Sequence, residues 1–202
     1  MENPTGSFEC VEKGQVYKYN VKARPFLEDF LDGCSKYYHI IVFTAGTADY
    51  ANRALDIVDK NSRISYRLFR DSLTQIDKSS YYKDIGKLGW PLDRVILVDD
   101  GRWNCDPFPN NSICIGKYNG ANDDLQLLQL LPVLLTTLEN ADDVRDYLDS
   151  NKTFEWICNQ MTTDDDIDKF YFVSFYLTWK SFIQRESEKR KLQEKKRKRH
   201  KK

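Results

Sequence analysis

The sequence predicts an α/β domain built on a parallel sheet, and three observations carry that prediction. Arg94-Val95-Ile96-Leu97-Val98-Asp99-Asp100 sets four consecutive aliphatic residues before two carboxylates. His39-Ile40-Ile41-Val42-Phe43-Thr44 builds a similar run before a hydroxyl. Runs without polar alternation suit strands buried on both faces, as in a parallel sheet. The third observation is order: a hairpin, then α, β, α, β, α, β, β, α, the pattern of a sheet with helices on its faces.

Residues 8–23 read as a β-hairpin. Phe8-Glu9-Cys10-Val11 leads through a turn at 12–15 into Val16-Tyr17-Lys18-Tyr19-Asn20-Val21, which alternates as a half-exposed strand does. Pro25 opens a helix with Phe26, Leu27, Phe30 and Leu31 on one face, expected to end near Gly33. The strand at 39–44 runs into Ala45-Gly46-Thr47, small residues that let a ligand approach the backbone. The Thr44 hydroxyl can donate to a phosphate oxygen, or cap the helix that follows at 48–59. Tyr50, Ala54, Leu55 and Val58 are available for packing on that helix. A short strand is expected at 65–70. A helix is expected to end at the glycine stop near Gly89.

Lys83 lies one element before the double aspartate. It can neutralise a phosphoryl group as a point charge, although a lysine in a charged helix is more often solvated. Chemistry in open α/β sheets gathers at the carboxyl ends of strands, where Asp99 and Asp100 fall. Two adjacent carboxylates there can hold Mg²⁺ through oxygen, and Asp100-Gly101 equally suits a turn. Pro107 and Pro109 precede a strand at 112–115. A leucine-rich helix follows from Leu125, with Pro132 as a kink or restart, and a last helix is expected at 142–150.

A hydrophobic content of 41% supports a real core, and 202 residues suit one domain with a tail. The net charge of zero hides an asymmetry, because residues 180–202 hold twelve Lys/Arg against three Asp/Glu. The body is correspondingly acidic. Five cysteines, an odd number with no C-x-x-C pair, argue against a disulfide framework or zinc site and for a reducing compartment. The first residues carry neither a secretory signal nor an Arg-rich transit peptide. No apolar run reaches the roughly 18 residues a bilayer span needs.

Residues 163–166 start an acid-rich, capped segment, and 170–179 are apolar nearly all round. That stretch is expected to be helical. It docks on the domain, binds a protein partner or lies in a membrane interface. The basic run at 195–202 suits a solvated tail, a nuclear localisation signal or a nucleic-acid patch. With no interleaved aromatics it gives no case for specific nucleic-acid recognition. The expected limits are 1–7 for a disordered start, 8–150 for the domain, 151–185 for an aromatic helical extension and 186–202 for a basic tail.

Several pieces stand in a telling order: Val21-Lys22-Ala23-Arg24-Pro25, Val42-Phe43-Thr44-Ala45, Arg67-Leu68-Phe69-Arg70-Asp71, Tyr82-Lys83-Asp84, Val95-Ile96-Leu97-Val98-Asp99-Asp100, Leu130-Leu131-Pro132 and Asp142-Asp143-Val144-Arg145. Over residues 8–150 this resembles the phosphatase domain that acts on the RNA polymerase II carboxy-terminal domain, or nuclear LIM-interactor-interacting-factor domain, of the haloacid dehalogenase superfamily. The resemblance implies a Rossmann-like fold with a small N-terminal hairpin insert. It implies Mg²⁺-dependent hydrolysis of phosphoserine or phosphothreonine in protein substrates, through an aspartyl-phosphate. By position, Thr44 would hold the phosphoryl group and Lys83 would neutralise its charge. Asp100 would be the metal ligand, and Asp99 would orient Lys83 or share the ion. Arg70 and Tyr50 would line the substrate groove.

One departure stands against these agreements. The family's D-x-D-x-T motif, source of nucleophile and acid/base, should stand upstream of the hairpin, and nothing in 1–15 matches it. Its strand would lie between those ending at Thr44 and Asp100. Without it two inner edges lack ladder partners. The expectation is that the chain is a truncated form of a longer protein, the alternative that another segment fills the gap. The chain as it stands is expected to lack phosphatase activity. The resemblance also admits a non-catalytic binding module similar to the mitochondrial inner-membrane import receptor of the presequence translocase. The expected location is nucleus or cytoplasm on the first reading and the mitochondrial inner membrane on the second.

Overall fold

The computed structural model describes residues 4–78, 80–140, 142–150 and 174–179. Strands β1 (Gly6–Glu12) and β2 (Gln15–Val21) form an antiparallel hairpin in register from Gly6↔Val21 to Glu12↔Gln15. Its two-residue loop is Lys13-Gly14, with φ of 50° and 79°. Both values lie in the left-handed region that matches the twist of paired strands. Val11, Val16 and Tyr17 are exposed on this hairpin.

Helix α1 (Leu27–Ser35) begins two residues after Pro25, where the sequence had suggested a start. The reason is Phe26, whose φ of 62° is left-handed and breaks the helix before Leu27. The remaining elements are β3 (Tyr38–Phe43), α2 (Ala48–Val58), β4 (Ile64–Leu68), β5 (Thr74–Gln75), β6 (Tyr81–Tyr82), β7 (Val95–Asp99), the one-turn α3 (Arg102–Cys105), β8 (Ser112–Cys114), α4 (Gln126–Asn140), α5 (Val144–Ser150) and β9 (Ser174–Trp179). Where a helix had been expected to end near Gly89 there is a 3-10 turn, Ile85–Leu88. Gly89 does close it, at φ 75°. Pro132 neither ends nor restarts α4, which runs through it.

The central sheet has the order β4-β3-β9-β7-β8. The pairs β3/β4 and β7/β8 are parallel, and the N-terminal hairpin stands apart as its own two-stranded sheet. The α/β class expected from the strand runs and the Rossmann-like fold implied by the resemblance both appear, in a sheet that is mixed because β9 is antiparallel. The gap between β3 and β7 is filled by β9, antiparallel to both, from Tyr38↔Trp179 to Phe43↔Ser174 on one side and Val95↔Thr178 to Val98↔Phe175 on the other.

The helical expectation for the aromatic stretch therefore fails at Ser174–Trp179, which is a strand. Two facing edges with unpaired ladder groups need a partner, and a run rich in aromatic residues supplies one. The rest of the expected 151–185 extension and the 186–202 tail lie outside the described residues. Among the described residues no helix is long and apolar enough to cross a membrane.

The period-two geometry of the inner strands sorts their side chains onto two faces. Ile40, Val42, Ile96 and Val98 meet Phe30, Leu31, Leu55, Leu127, Leu130 and Val144 in the larger core, under α1, α2, α4 and α5. Ile41, Phe43, Val95 and Leu97 face the other way onto Ile85, Leu88, Trp90 and Phe108. Tyr38 is fully buried and its hydroxyl donates to Leu134 O at 2.7 Å, fastening β3 to α4.

Candidate phosphate site at the carboxyl edge of the sheet

The register of β9 places the two parallel pairs at one height. Phe43 faces Ser174, and Val98 faces Phe175, so Asp99 stands level with Phe43. Thr44 and Asp100 each follow by one residue. They occupy the same sheet edge two strand spacings apart, roughly 10 Å across the backbone.

At the β7 end the geometry is tight. Lys83 is 6% exposed and Asp99 1% exposed. Lys83 Nζ donates to Asp99 Oδ2 at 2.7 Å. Gly101 N and Asn104 Nδ2 donate to Asp99 Oδ1 at 2.7 and 3.2 Å. Asn104 Oδ1 in turn accepts from Lys83 N at 3.2 Å, so one amide braces both members of the pair. Lys83 reaches this place because residues 82–85 alternate inward and outward: Lys83 and Ile85 are buried, Tyr82 and Asp84 partly exposed. Asp84 accepts from Tyr82 Oη at 3.0 Å and caps the 3-10 turn through Gly86 N at 3.0 Å. The lysine expected in a charged helix is instead a buried ion-pair partner.

Asp100 differs from its neighbour. Burial, and next the charge of Asp99 beside it, push its carboxyl up to about 6, although Lys83 and Arg24 pull the other way. Arg24, 5% exposed, is held by a two-pronged pair with Asp124 at 3.0 and 2.8 Å. Its guanidinium also lies 5.7 Å from the Tyr118 ring centre.

At the β3 end Thr44 is 2% exposed. Thr44 N donates to Leu68 O at 3.0 Å, and Thr44 Oγ1 accepts from Gly46 N at 3.1 Å. Gly46 is needed small, since a Cβ there would meet Tyr50 at 3.3 Å and Thr44 Oγ1 at 3.4 Å. Arg70 supports the same loop: its backbone N donates to Gly46 O at 3.1 Å and its Nε to Ala45 O at 2.6 Å, while the residue stays exposed. Tyr50 is half-buried, with its ring 5.4 Å from Phe8 and 4.9 Å from Tyr19, so it ties α2 to the hairpin.

The structure thus joins Lys83, Asp99 and Asp100 in one cluster. It sets Thr44, Arg70 and Tyr50 around one loop, and the two groups share the sheet edge. Sequence reasoning missed Asn104, Arg24 and Asp124. Asn104 carried a usable signal, falling on the turn after a strand-end aspartate. Arg24 stands in the Lys22-Ala23-Arg24-Pro25 string, but nothing in the sequence ties it to Asp124 a hundred positions on.

A hard cation takes about six oxygen ligands. Asp99 spends both its oxygens on three donors, whereas the Asp100 carboxyl is pushed up chiefly by burial and only partly offset by Lys83 and Arg24. No cluster of three or more metal-ligating side chains occurs among the described residues. Asp100 therefore fits one ligand of a cation, and the described side chains supply only part of its shell.

A mixed sheet with parallel outer pairs, flanking helices and a separate N-terminal hairpin is consistent with a haloacid dehalogenase-like fold. The chain belongs to the NLI interacting factor-like phosphatase family, whose pattern it matches over residues 2–145. It is 35% identical over 158 residues to CTD small phosphatase-like protein 2 of Dictyostelium discoideum, covering 78% of this chain and 28% of that protein. It is 39% identical over 152 residues to a probable C-terminal domain small phosphatase of the same organism, covering 75% and 49%. It is also 37% identical over 132 residues to the mitochondrial import inner membrane translocase subunit TIM50-B of Drosophila melanogaster, covering 64% and 32%. The chain thus spans at most about half the length of these relatives.

Proposed function

We propose that this domain binds phosphoserine or phosphothreonine segments of proteins at the carboxyl edge of its sheet, and that these 202 residues alone do not hydrolyse them. The observation that carries the reading is the buried Lys83–Asp99 pair, 2.7 Å apart and braced by Asn104, next in the chain to Asp100. A lysine is buried with its charge only where that charge has a task or a partner. An ammonium has three donors, and Asp99 fixes its direction.

In this reading Thr44 and Lys83 hold phosphoryl oxygens, and Asp99 orients Lys83. Arg70 and Tyr50 line the groove that takes the peptide. Lys83, Asp99 and Asp100 together carry one net negative charge, which repels a phosphate dianion. Asp100 would hold Mg²⁺, whose charge would reverse that balance and polarise the phosphoryl group when bound. Turnover needs an aspartate nucleophile and an acid/base, and no D-x-D-x-T occurs in the sequence.

The test is release of phosphate from p-nitrophenyl phosphate and from a phosphothreonine peptide with Mg²⁺ present. The reading expects none above buffer. Release that Asp100→Asn abolishes would overturn it. A second reading, a non-catalytic receptor module at the mitochondrial inner membrane, rests on the likeness to TIM50-B. It predicts that binding of a basic amphipathic presequence peptide survives Lys83→Met, whereas the favoured reading ties binding to phosphate and places the protein in nucleus or cytoplasm.

A further inference from the structure

One large aromatic side chain stands open beside the strand-end acids. Trp103 is 67% exposed, although folding ordinarily covers most of a tryptophan. Trp90 shows the ordinary case: it packs against the second core, with its ring 5.7 Å from His39. The outward pose of Trp103 follows from the turn after β7. Asp100 and Gly101 lead directly into α3, and Asn104 N donates to Gly101 O at 2.9 Å. Successive residues on a helical turn point about 100° apart. Asn104 turns inward to Asp99 and is buried, so Trp103 before it turns out.

The indole is seated on the backbone. A Cβ at position 101 would meet its Cζ2 at 2.8 Å, its Cε2 at 2.9 Å and its Cη2 at 3.1 Å. Gly101 has φ −97° and ψ 111°, a conformation open to any residue, so the ring and not the backbone asks for glycine there. The six-membered part of the indole thus lies against the chain one residue after Asp100, and most of the ring stays open. Asn104 braces the turn beneath it through Asp99 and Lys83, so the ring's base is fixed before a ligand arrives. A preorganised aromatic platform loses little freedom on binding. Arg102 beside it is exposed, which sets a like charge against a cationic ligand group.

We propose that Trp103 is a specificity-determining residue: its open face takes an aromatic side chain one or two residues from the phosphoserine or phosphothreonine of a bound peptide. The inference rests on the reading of the sheet edge as a phosphoresidue site. An extended peptide advances about 3.3 Å per residue, and Gly101 follows Asp100 directly, so a ring that near the phosphate reaches the indole. Two such rings meet offset or edge to face. Trp103 acts on the flanking residue, and the phosphoryl group is left to Thr44 and Lys83.

The test is calorimetry on the full chain with Mg²⁺. The ligands are phosphothreonine amide, an alanine-flanked phosphothreonine peptide with its unphosphorylated twin, and versions of that peptide with one Phe placed one or two residues before or after the phosphothreonine. Wild type should bind at least one Phe peptide roughly threefold to tenfold more tightly than the alanine parent, the margin an aromatic pair supplies. Trp103→Ala should lose that margin and keep its affinity for phosphothreonine amide, while Trp103→Phe restores part of it. The urea midpoint of Trp103→Ala should stay near that of wild type, as an exposed side chain predicts. No Phe preference in wild type, a preference that survives Trp103→Ala, or an equal loss for every ligand in that variant would overturn the inference and leave the phosphate reading standing. Equal affinity for the alanine parent and its unphosphorylated twin would overturn both.

Discussion

The end of β7 and the end of β3 hold their functional groups by different means. At β7 a buried ammonium and a buried carboxylate satisfy one another, with Gly101 and Asn104 completing the carboxylate. At β3 a neutral hydroxyl is fixed by a backbone amide, and the cation beside it, Arg70, stays at the surface. Removing a group from the first end leaves a charge stranded in low dielectric. Removing one from the second leaves only a neutral group short of a partner. The β7 end should therefore carry structure and charge together, whereas the β3 end tunes recognition.

Lys83→Met should produce the largest loss, on the order of 3–5 kcal/mol of unfolding free energy, because Asp99 is left buried without its counter-charge. Urea denaturation reads this, and Lys83→Met with Asp99→Leu should recover part of it. Recovery of none would show that Asn104 and Gly101 rather than the ion pair hold the loop.

Asp100→Asn should act in the opposite direction. The folded carboxyl titrates at about 6 against an ordinary 3.8, so the folded chain holds the proton more tightly. The contribution of this group to stability is then greatest below pH ~4 and falls as pH rises to ~6, by roughly 1–3 kcal/mol, with no further change from it above. The asparagine variant should be more stable than wild type by that amount at neutral pH and equal to it below pH ~4. Saturating Mg²⁺ should narrow the neutral-pH difference. An asparagine variant no more stable than wild type at neutral pH, or equally more stable at pH ~4 and at pH ~7, would contradict this account of Asp100.

Thr44→Val should cost about 1–2 kcal/mol, the value of the Gly46 amide bond in a buried setting. Its effect on phosphopeptide affinity should exceed that stability loss in proportion. Arg70→Ala is expected to change stability least, within about 0.5 kcal/mol, since the side chain is exposed. It should weaken phosphopeptide binding by roughly fivefold at low salt, an effect that fades as salt rises. Calorimetry at two salt concentrations separates those outcomes.

Much of this was legible before any coordinates. The unbroken runs 95–98 and 40–43 announced buried strands because no polar residue interrupts them, and the register places their ends on one edge. Lys83 was visible only as a candidate. What marks it as buried is the in-out alternation of Tyr82, Lys83, Asp84 and Ile85, a four-residue pattern too short to trust alone. The late start of α1 turns on the left-handed backbone of Phe26, which no propensity foretells for that residue. Ser174–Trp179 is a strand although its sequence suggests helix, because a run apolar all round carries no period. Its state is decided by two distant edges that need hydrogen-bond partners, information that resides in β3 and β7.

The most direct measurement is calorimetric titration of the full chain with a phosphothreonine peptide and its unphosphorylated twin, in Mg²⁺, with free phosphate followed in the same sample. The account predicts binding that requires the phosphate, is lost in Lys83→Met refolded to a native far-UV spectrum, and releases no phosphate. Equal affinity for both peptides, or steady release of phosphate from the first, would contradict it.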